Sequence, residues 1–246
     1  MRKMIEGSRA VAEAVALCRP DVISAYPITP QTHIVEELSQ IVADGELDAE
    51  YVRVESEHSA ASVCLGAVVA GSRAYSATTS QGMLLMVEVL YNIAGMRLPL
   101  VITGVNRAVS APLSIWNDQQ DTMAIRDTGW LQLYAENSQE CLDMHLQAYK
   151  ISEDDRVLLP VMVCMDGFIL THTYESVDMP TQEQVDAFLP RYNPLYKLDP
   201  ADPYTLGGYI GPEKYQEVRY VLQQDCLAAK EVVKEVARDF QKAFGR

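Results

Sequence analysis

The chain has 246 residues, of which 48% are apolar and 22% charged, and its formal net charge is −14 at pH 7. This length can bury a large core as one domain or as a domain with an appendage. The acidic balance argues against nucleic acid or an anionic membrane as the main partner. The N-terminus turns polar too soon for a signal peptide, and no apolar run reaches the roughly 18 residues of a membrane span.

The five cysteines are scattered along the chain without a C-x-x-C pair. We therefore expect neither a zinc site nor an iron–sulfur cluster held by this chain alone. The four histidines also lack the spacing of metal ligands, so no metal site is predicted. Unpaired thiols are typical of a reducing compartment, which predicts a cytoplasmic protein.

Apolar runs alternate with helical patterns along the first two thirds of the chain. The predicted strands cover residues 22–25, 51–54, 74–78, 100–103, 131–134 and 161–165. The predicted helices cover about 8–18, 30–43, 59–71, 83–96 and 139–151. Because the strands are almost entirely apolar, we expect a mainly parallel sheet with helices on both faces, a doubly wound α/β fold.

The stretch 24–31 turns from the first of these strands into a helix. Pro30 suits the first helical position, and Thr29 is then the predicted N-cap. Such a corner lies at the carboxyl end of a strand, where open α/β sheets bind their ligands. A helix cap without any ligand is the alternative interpretation of Thr29.

Two further strand ends carry polar candidates. Glu57 begins an Ala- and Gly-rich helix, where the helix dipole alone would also stabilise a carboxylate. Arg107 lies in the connection 104–129, which is much longer than a usual strand–helix loop and is predicted to build a site. A surface ion pair is the alternative for Arg107, whose guanidinium also suits a substrate carboxylate.

The last third of the chain changes character. Six of the twelve prolines fall between Pro180 and Pro212, interleaved with tyrosines. We expect three parts: an α/β domain over 1–178, an extended Pro/Tyr-rich arm over 179–212, and an amphipathic helix over 213–246.

Six short motifs occur in an order that resembles a known family. They are Tyr26-Pro27-Ile28-Thr29-Pro30, Ser56-Glu57-His58, Thr78-Thr79-Ser80-Gln81-Gly82, Asn106-Arg107-Ala108, Ser114-Ile115-Trp116-Asn117-Asp118-Gln119-Gln120-Asp121 and Met165-Asp166-Gly167-Phe168. Together they resemble the alpha subunit of pyruvate:ferredoxin oxidoreductase and related 2-oxoacid:ferredoxin oxidoreductases, over about 7–190. The likeness implies the thiamine-diphosphate-binding domain that holds the pyrimidine ring. It also implies oxidative decarboxylation of a 2-oxoacid to an acyl-CoA, with reduction of ferredoxin, or the reverse synthesis.

The resemblance assigns roles to individual residues. Glu57 matches the family's catalytic glutamate, which contacts N1′ of the aminopyrimidine ring and favours its imino tautomer. Thr29 matches an active-site threonine placed to bond the substrate, and Arg107 matches the arginine that holds the substrate carboxylate. Asn117 falls in the next site loop as a further substrate-binding candidate. The cofactor-binding candidates are Tyr26, Pro27, Glu57, Ser80 and Gln81.

The sequence also departs from the family's pattern. It lacks the G-D-G…N signature that binds diphosphate and Mg²⁺, so we expect that half of the site on a beta subunit. Iron–sulfur clusters are likewise expected on partner chains, the delta and gamma subunits, with CoA as cosubstrate. In the family a helix like 213–246 leads to a further domain, which is expected to be missing or separately encoded here. Two alternatives stay open: another 2-oxoacid as substrate (2-oxoglutarate, a branched acid or an aryl acid), or a non-catalytic scaffold subunit.

Overall fold

A computed structural model describes all 246 residues. The strands are β1 (Arg2–Glu6), β2 (Val22–Ser24), β3 (Glu50–Val52), β4 (Ala74–Thr78), β5 (Val101–Asn106), β6 (Leu131–Tyr134), β7 (Val161–Asp166) and β8 (Tyr174–Asp178). The helices are α1 (Gly7–Cys18), α2 (Thr32–Ala43), α3 (Glu57–Val69), α4 (Ser80–Gly95), α5 (Gln120–Ala124), α6 (Ser138–Ser152), α7 (Gln182–Phe188) and α8 (Pro212–Phe244).

Six of the strands form one parallel sheet in the order β3-β2-β4-β5-β7-β6. Successive side chains of a strand point to opposite faces, and both faces of this sheet are covered. Val101 and Val161 pack into a core cluster with α1, α6 and α8, whereas Ile102 and Met162 pack with α3 and α4. The predicted doubly wound α/β fold is therefore confirmed, and the carboxyl ends of all six strands share one edge.

A second, two-stranded sheet was not predicted. It pairs β1 with β8 in antiparallel register, Arg2 opposite Asp178 and Glu6 opposite Tyr174. Both strands mix charged with apolar residues and lie far apart in the sequence, so neither gives a local strand signal. This small sheet places Glu6 at the start of α1.

The corner after β2 differs from the prediction. The helix α2 begins at Thr32, not at Pro30, and Thr29 is not its N-cap. Gln31 explains the difference: its backbone N–H donates to the Ile28 carbonyl at 2.8 Å, and its side-chain Nε2 donates to the Ala77 carbonyl at 2.7 Å. The resulting turn ties the corner to β4 and leaves Thr29 exposed at the edge of the sheet.

The region predicted as an extended arm contains a short helix, α7, which Thr181 begins with a capping box. The final helix agrees with the prediction to within two residues at its ends and buries one stripe. That stripe comprises Leu222, Ala229, Val232, Val236 and Phe240. The five cysteines are unpaired, as predicted, and four of them are buried. No helix is both long and apolar enough to cross a membrane.

Candidate functional site

The carboxyl ends of β2, β4 and β5 bring three predicted residues into direct contact. Arg107 follows β5, and its side chain is 7% exposed. Its Nη1 donates to the carbonyl oxygen of Thr29 at 2.6 Å, and its Nη2 donates to Oε1 of Gln81 at 2.8 Å. One guanidinium therefore joins the corner after β2 to the first turn of α4.

Glu57 reaches the same edge from the start of α3. Ser56 caps that helix by accepting from the Ser59 N–H at 3.2 Å, which places Glu57 in the first turn. The side chain of Glu57 is 7% exposed and lies against Gly82 of α4. A Cβ at position 82 would stand 2.6 Å from Oε1 of Glu57 and 2.6 Å from Oγ1 of Thr78, so only glycine fits there.

Most of the unpartnered buried polar atoms of the chain lie at this edge. Of the eight such side-chain atoms, six belong to residues at the ends of β4 and β5 or in the loop that follows β5. They are Thr78 Oγ1, Thr79 Oγ1, Gln81 Nε2, Asn106 Oδ1, Arg107 Nε and Asn117 Oδ1. A buried polar atom without a hydrogen bond costs about 1–3 kcal/mol, so this concentration indicates a polar ligand.

These observations fit the pyrimidine half of thiamine diphosphate. The Glu57 carboxylate lies against Gly82, and the unpaired Thr78 hydroxyl and Gln81 amide nitrogen beside them could bond a ring with nitrogen donors and acceptors. The residues that would hold this ring are Glu57, Thr78, Gln81 and Gly82. No group in this cluster combines the carboxylates that a diphosphate-bound Mg²⁺ would need.

Asp121 organises the backbone of the site, a role that the sequence did not assign to it. The residue is fully buried, and its carboxylate accepts four hydrogen bonds. Oδ2 accepts from the backbone N–H groups of Ser80 at 2.9 Å and Arg107 at 3.0 Å. Oδ1 accepts from Asn106 Nδ2 at 2.9 Å and from its neighbour Thr122 at 2.8 Å. Asp121 thus fixes the two segments that carry Gln81 and Arg107.

Burial affects the ionisation of both Asp121 and Arg107. It raises the pKa of Asp121, and the hydrogen bonds from Asn106 and from three backbone N–H groups oppose that rise. Burial also lowers the pKa of Arg107, and the charge of Asp121 opposes that change. An arginine guanidinium stays protonated in proteins, so Arg107 keeps its charge.

Ser80 has a left-handed backbone, with φ of 46°, at the start of α4. Its hydroxyl lies 2.6 Å from Oε1 of Gln81 and 2.7 Å from the carbonyl oxygen of Ala108. The Gln81 oxygen is therefore held by Ser80 and Arg107 together, which leaves the amide nitrogen of Gln81 unpaired and free for a ligand.

The remaining predicted site residues stand apart from this cluster. Tyr26 and Pro27 are exposed on the corner after β2. Asn117 is paired with the end of β7: burial raises the pKa of Asp166 there, and the side chain of Asn117 opposes that rise. The residues of the site that the sequence analysis missed are Thr78, Gly82 and Asp121. Gly82 gave a usable signal, since a glycine in the first turn of an apolar helix suggests close approach of another group.

Comparison with known proteins assigns the chain to a family. The family model described as "Pyruvate flavodoxin/ferredoxin oxidoreductase, thiamine diP-bdg" matches residues 13–238. Pyruvate synthase subunit PorA of Methanothermobacter thermautotrophicus is 55% identical over 99% of this chain and 64% of that protein. PorA of Pyrococcus furiosus is 54% identical over 62% of its length. The ketoisovalerate oxidoreductase subunit VorA of Pyrococcus abyssi is 48% identical, also over 62% of its length.

The chain therefore spans about three fifths of the length of these curated relatives. Among solved structures, a 2-oxoglutarate:ferredoxin oxidoreductase from Magnetococcus marinus aligns with a TM-score of 0.72 at 20% identity. The alignment covers 92% of this chain and 45% of that one, and it supports the fold alone. On the strength of the family model, which matches most of its length, the chain belongs to the thiamine-diphosphate-binding family of pyruvate flavodoxin/ferredoxin oxidoreductases.

Proposed function

We propose that this chain is a subunit of a 2-oxoacid:ferredoxin oxidoreductase, with pyruvate as the 2-oxoacid, and that it holds the pyrimidine half of thiamine diphosphate. The observation that carries the proposal is the contact of Glu57 with Gly82, the residue that follows Gln81, whose side chain bonds Arg107. The names of the PorA relatives support pyruvate as the substrate. The reaction is oxidative decarboxylation to an acyl-CoA, or the reverse synthesis.

Glu57 performs the proton chemistry on this chain. When bound, thiamine diphosphate supplies an electron sink. The sink accepts the electron pair of the bond between the keto carbon of the substrate and its carboxylate. The Glu57 carboxylate, held in the first turn of α3, would give or take the proton that the bound pyrimidine ring needs. The absence of a side chain at Gly82 leaves room for the Glu57 carboxylate at this edge of the sheet.

Arg107 and Thr29 bind and orient the 2-oxoacid. The two Nη atoms of Arg107 are each fixed by one hydrogen bond, and its buried Nε–H has no partner. That free N–H, with the positive charge, suits the substrate carboxylate, and a charged hydrogen bond of this kind contributes about 1.5–3 kcal/mol. The exposed hydroxyl of Thr29 can donate to the keto oxygen beside it. Low exposure of Glu57 and Arg107 keeps bulk water from both groups.

The proposal requires partners. A beta-type subunit would bind the diphosphate and Mg²⁺, other subunits would carry the iron–sulfur clusters, and CoA and ferredoxin would act as cosubstrate and acceptor. The name of the Magnetococcus structure, which includes coenzyme A, supports that cosubstrate for the fold. We place the complex in the cytoplasm, where the five unpaired thiols stay reduced.

A branched 2-oxoacid is the second candidate, because VorA of Pyrococcus abyssi is 48% identical to this chain. We propose that three exposed apolar residues of the loop after β5 limit the size of the acid: Leu113, Ile115 and Trp116. The test is to reconstitute the chain with its co-purifying subunits and to measure ferredoxin reduction with pyruvate, 2-oxoisovalerate, 2-oxoglutarate and phenylpyruvate. We expect the highest kcat/KM for pyruvate. Preference for a bulkier acid would reject pyruvate, and no turnover with any acid would support a scaffold role.

A further inference from the structure

A cluster of two imidazoles and a carboxylate lies outside the site described above. Glu6 ends β1, His33 lies in the first turn of α2, and His172 follows β7. One ligand atom from each residue lies within 4.8 Å of the ligand atoms of the other two. Oε1 of Glu6 is 2.7 Å from Nδ1 of His33, and the rings of His33 and His172 have centroids 4.6 Å apart.

We propose that Glu6, His33 and His172 bind a divalent transition-metal ion of the zinc class. Two imidazoles and one carboxylate are the ligand set that Zn²⁺ takes when three protein groups and one water coordinate it. The three donors come from three separate elements, the small β1–β8 sheet, α2 and the segment after β7, so the fold itself assembles the set. The spacing of ligands along the sequence could not reveal it.

The surroundings of His172 prepare it as a ligand. Its Nδ1 lies 2.6 Å from the Thr171 hydroxyl, which itself accepts from the Phe168 N–H at 2.9 Å. In the tautomer that carries its proton on Nδ1, this contact orients the ring and leaves the lone pair of Nε2 for the ion, the usual outer support of a metal-bound histidine. The ring is also stacked on Phe168, with centroids 4.7 Å apart.

The charges of the cluster favour an ion over protons. The neutral imidazole is the form that binds metal. One bound divalent ion would satisfy all three side chains, whereas protonating both rings would place two cations beside a single carboxylate.

The partly exposed position gives the ion a path from solvent and leaves a coordination position open to water. None of the three residues contributes to the Glu57–Arg107 cluster. The proposal is therefore independent of the 2-oxoacid chemistry and can be tested on the 246-residue chain without partners or substrate.

The test is titration of the chain with Co²⁺, followed by its visible absorption bands, and displacement by Zn²⁺. All proteins carry Cys226→Ser, because Cys226 is the one cysteine that is not buried. The variants are Glu6→Gln, His33→Gln and His172→Gln. The matched control is His58→Gln, since His58 is also exposed and faces a single carboxylate, Glu88, at 3.8 Å.

We expect one equivalent of Co²⁺ to give bands of a four- or five-coordinate site that Zn²⁺ abolishes. Each of the three variants should weaken binding at least tenfold, and His58→Gln should not change it. Glu6 and His33 take no part in the stack on Phe168, and their side chains are 18% and 45% exposed, so these two variants stay informative even if His172→Gln destabilises that stack. Absence of saturable Co²⁺ binding, or unchanged affinity in Glu6→Gln and His33→Gln, would overturn the proposal.

Discussion

Arg107 and Gln81 form a hydrogen bond of 2.8 Å between Nη2 and Oε1, across the carboxyl ends of two neighbouring strands. The bond connects the proposed substrate-binding guanidinium to a proposed cofactor-binding amide. It also orients that amide, because its oxygen is occupied and its nitrogen is left unpaired. The proposed substrate-binding and cofactor-binding groups are thus linked through two side chains.

Replacing Arg107 with Lys tests this coupling. Lysine keeps the charge but cannot bond Thr29, Gln81 and a substrate carboxylate together, because it lacks the planar fork. We expect KM for the 2-oxoacid to rise about 10- to 150-fold, the equivalent of one charged hydrogen bond of about 1.5–3 kcal/mol. Steady-state kinetics of the assembled complex measures this KM. The control is Arg126→Lys, at an exposed side chain, which should leave KM unchanged. An unchanged KM would remove Arg107 from substrate binding.

Gly82→Ala tests the close contact between Glu57 and Gly82. The new methyl group would stand 2.6 Å from Glu57 Oε1 and from Thr78 Oγ1, so the carboxylate must move away from the ring position. We expect affinity for thiamine diphosphate to fall at least tenfold in the assembled complex, as measured by calorimetry.

Gly95→Ala is the matched control for that variant. Gly95 ends the same helix, and a methyl group there meets no atom within 4 Å. Cofactor affinity should stay at the wild-type value, and stability should rise by about 0.4–1 kcal/mol. Equal cofactor affinity in the two variants would contradict the contact between Glu57 and α4.

Asp121→Asn tests the hydrogen-bonded centre of the site. Each carboxylate oxygen accepts two N–H groups, so the amide nitrogen of Asn must face two donors in either orientation. We expect the free energy of unfolding to fall by about 2–3 kcal/mol and KM for the 2-oxoacid to rise. Urea unfolding of the chain and kinetics of the complex measure the two effects. The control is Asp127→Asn, at a side chain that is 76% exposed, which should change neither the free energy of unfolding nor KM. If Asp121→Asn also changed neither, the site would form without the Asp121 carboxylate.

His145 makes stability depend on pH. It is fully buried, and burial lowers its pKa from 6.5 to about 4. Below pH 6.5 the imidazole of His145 is protonated in the unfolded chain but still neutral in the folded chain. The contribution of His145 to the free energy of unfolding is therefore fully present above pH 6.5 and is lost as the pH falls towards 4. The difference between a pKa of 6.5 and one of about 4 corresponds to about 3 kcal/mol of stability.

His145→Gln isolates this contribution, because the carboxylates of the chain affect wild type and variant alike. Glutamine can still bond Thr103, the partner of His145 at 2.6 Å. Urea unfolding at pH 7, 6, 5 and 4 should show a smaller loss of stability in the variant. Parallel curves for the two proteins would mean that His145 is not buried as the neutral imidazole.

The sheet could be predicted because its strands are short apolar runs between turn residues. The segments 74–78 and 131–134 agree residue for residue with β4 and β6. β1 could not be predicted, because its pairing with β8 depends on the completed domain. Thr29 was assigned the wrong local role, since a side chain two positions later, that of Gln31, bonds β4 and delays the helix.

The site was only partly accessible to sequence reasoning. Family resemblance supplied Glu57, Thr29 and Arg107, and the fold brings them to one edge of the sheet. The contact between Glu57 and Gly82 joins the starts of two different helices. Asp121 lies in the long connection after β5 and accepts a hydrogen bond from the backbone N–H of Arg107, near the start of that connection. Such contacts depend on how the elements pack, which no spacing of residues along the chain encodes.

The role of Glu57 in the reaction is measured by 2-oxoacid-dependent reduction of ferredoxin by the complex containing Glu57→Gln. Glutamine keeps the size of the side chain and its place beside Gly82 but cannot exchange the proton. We expect turnover to fall at least 100-fold, while thiamine diphosphate and the partner subunits remain bound. A rate equal to that of the wild-type complex would contradict the account and leave this chain a structural subunit.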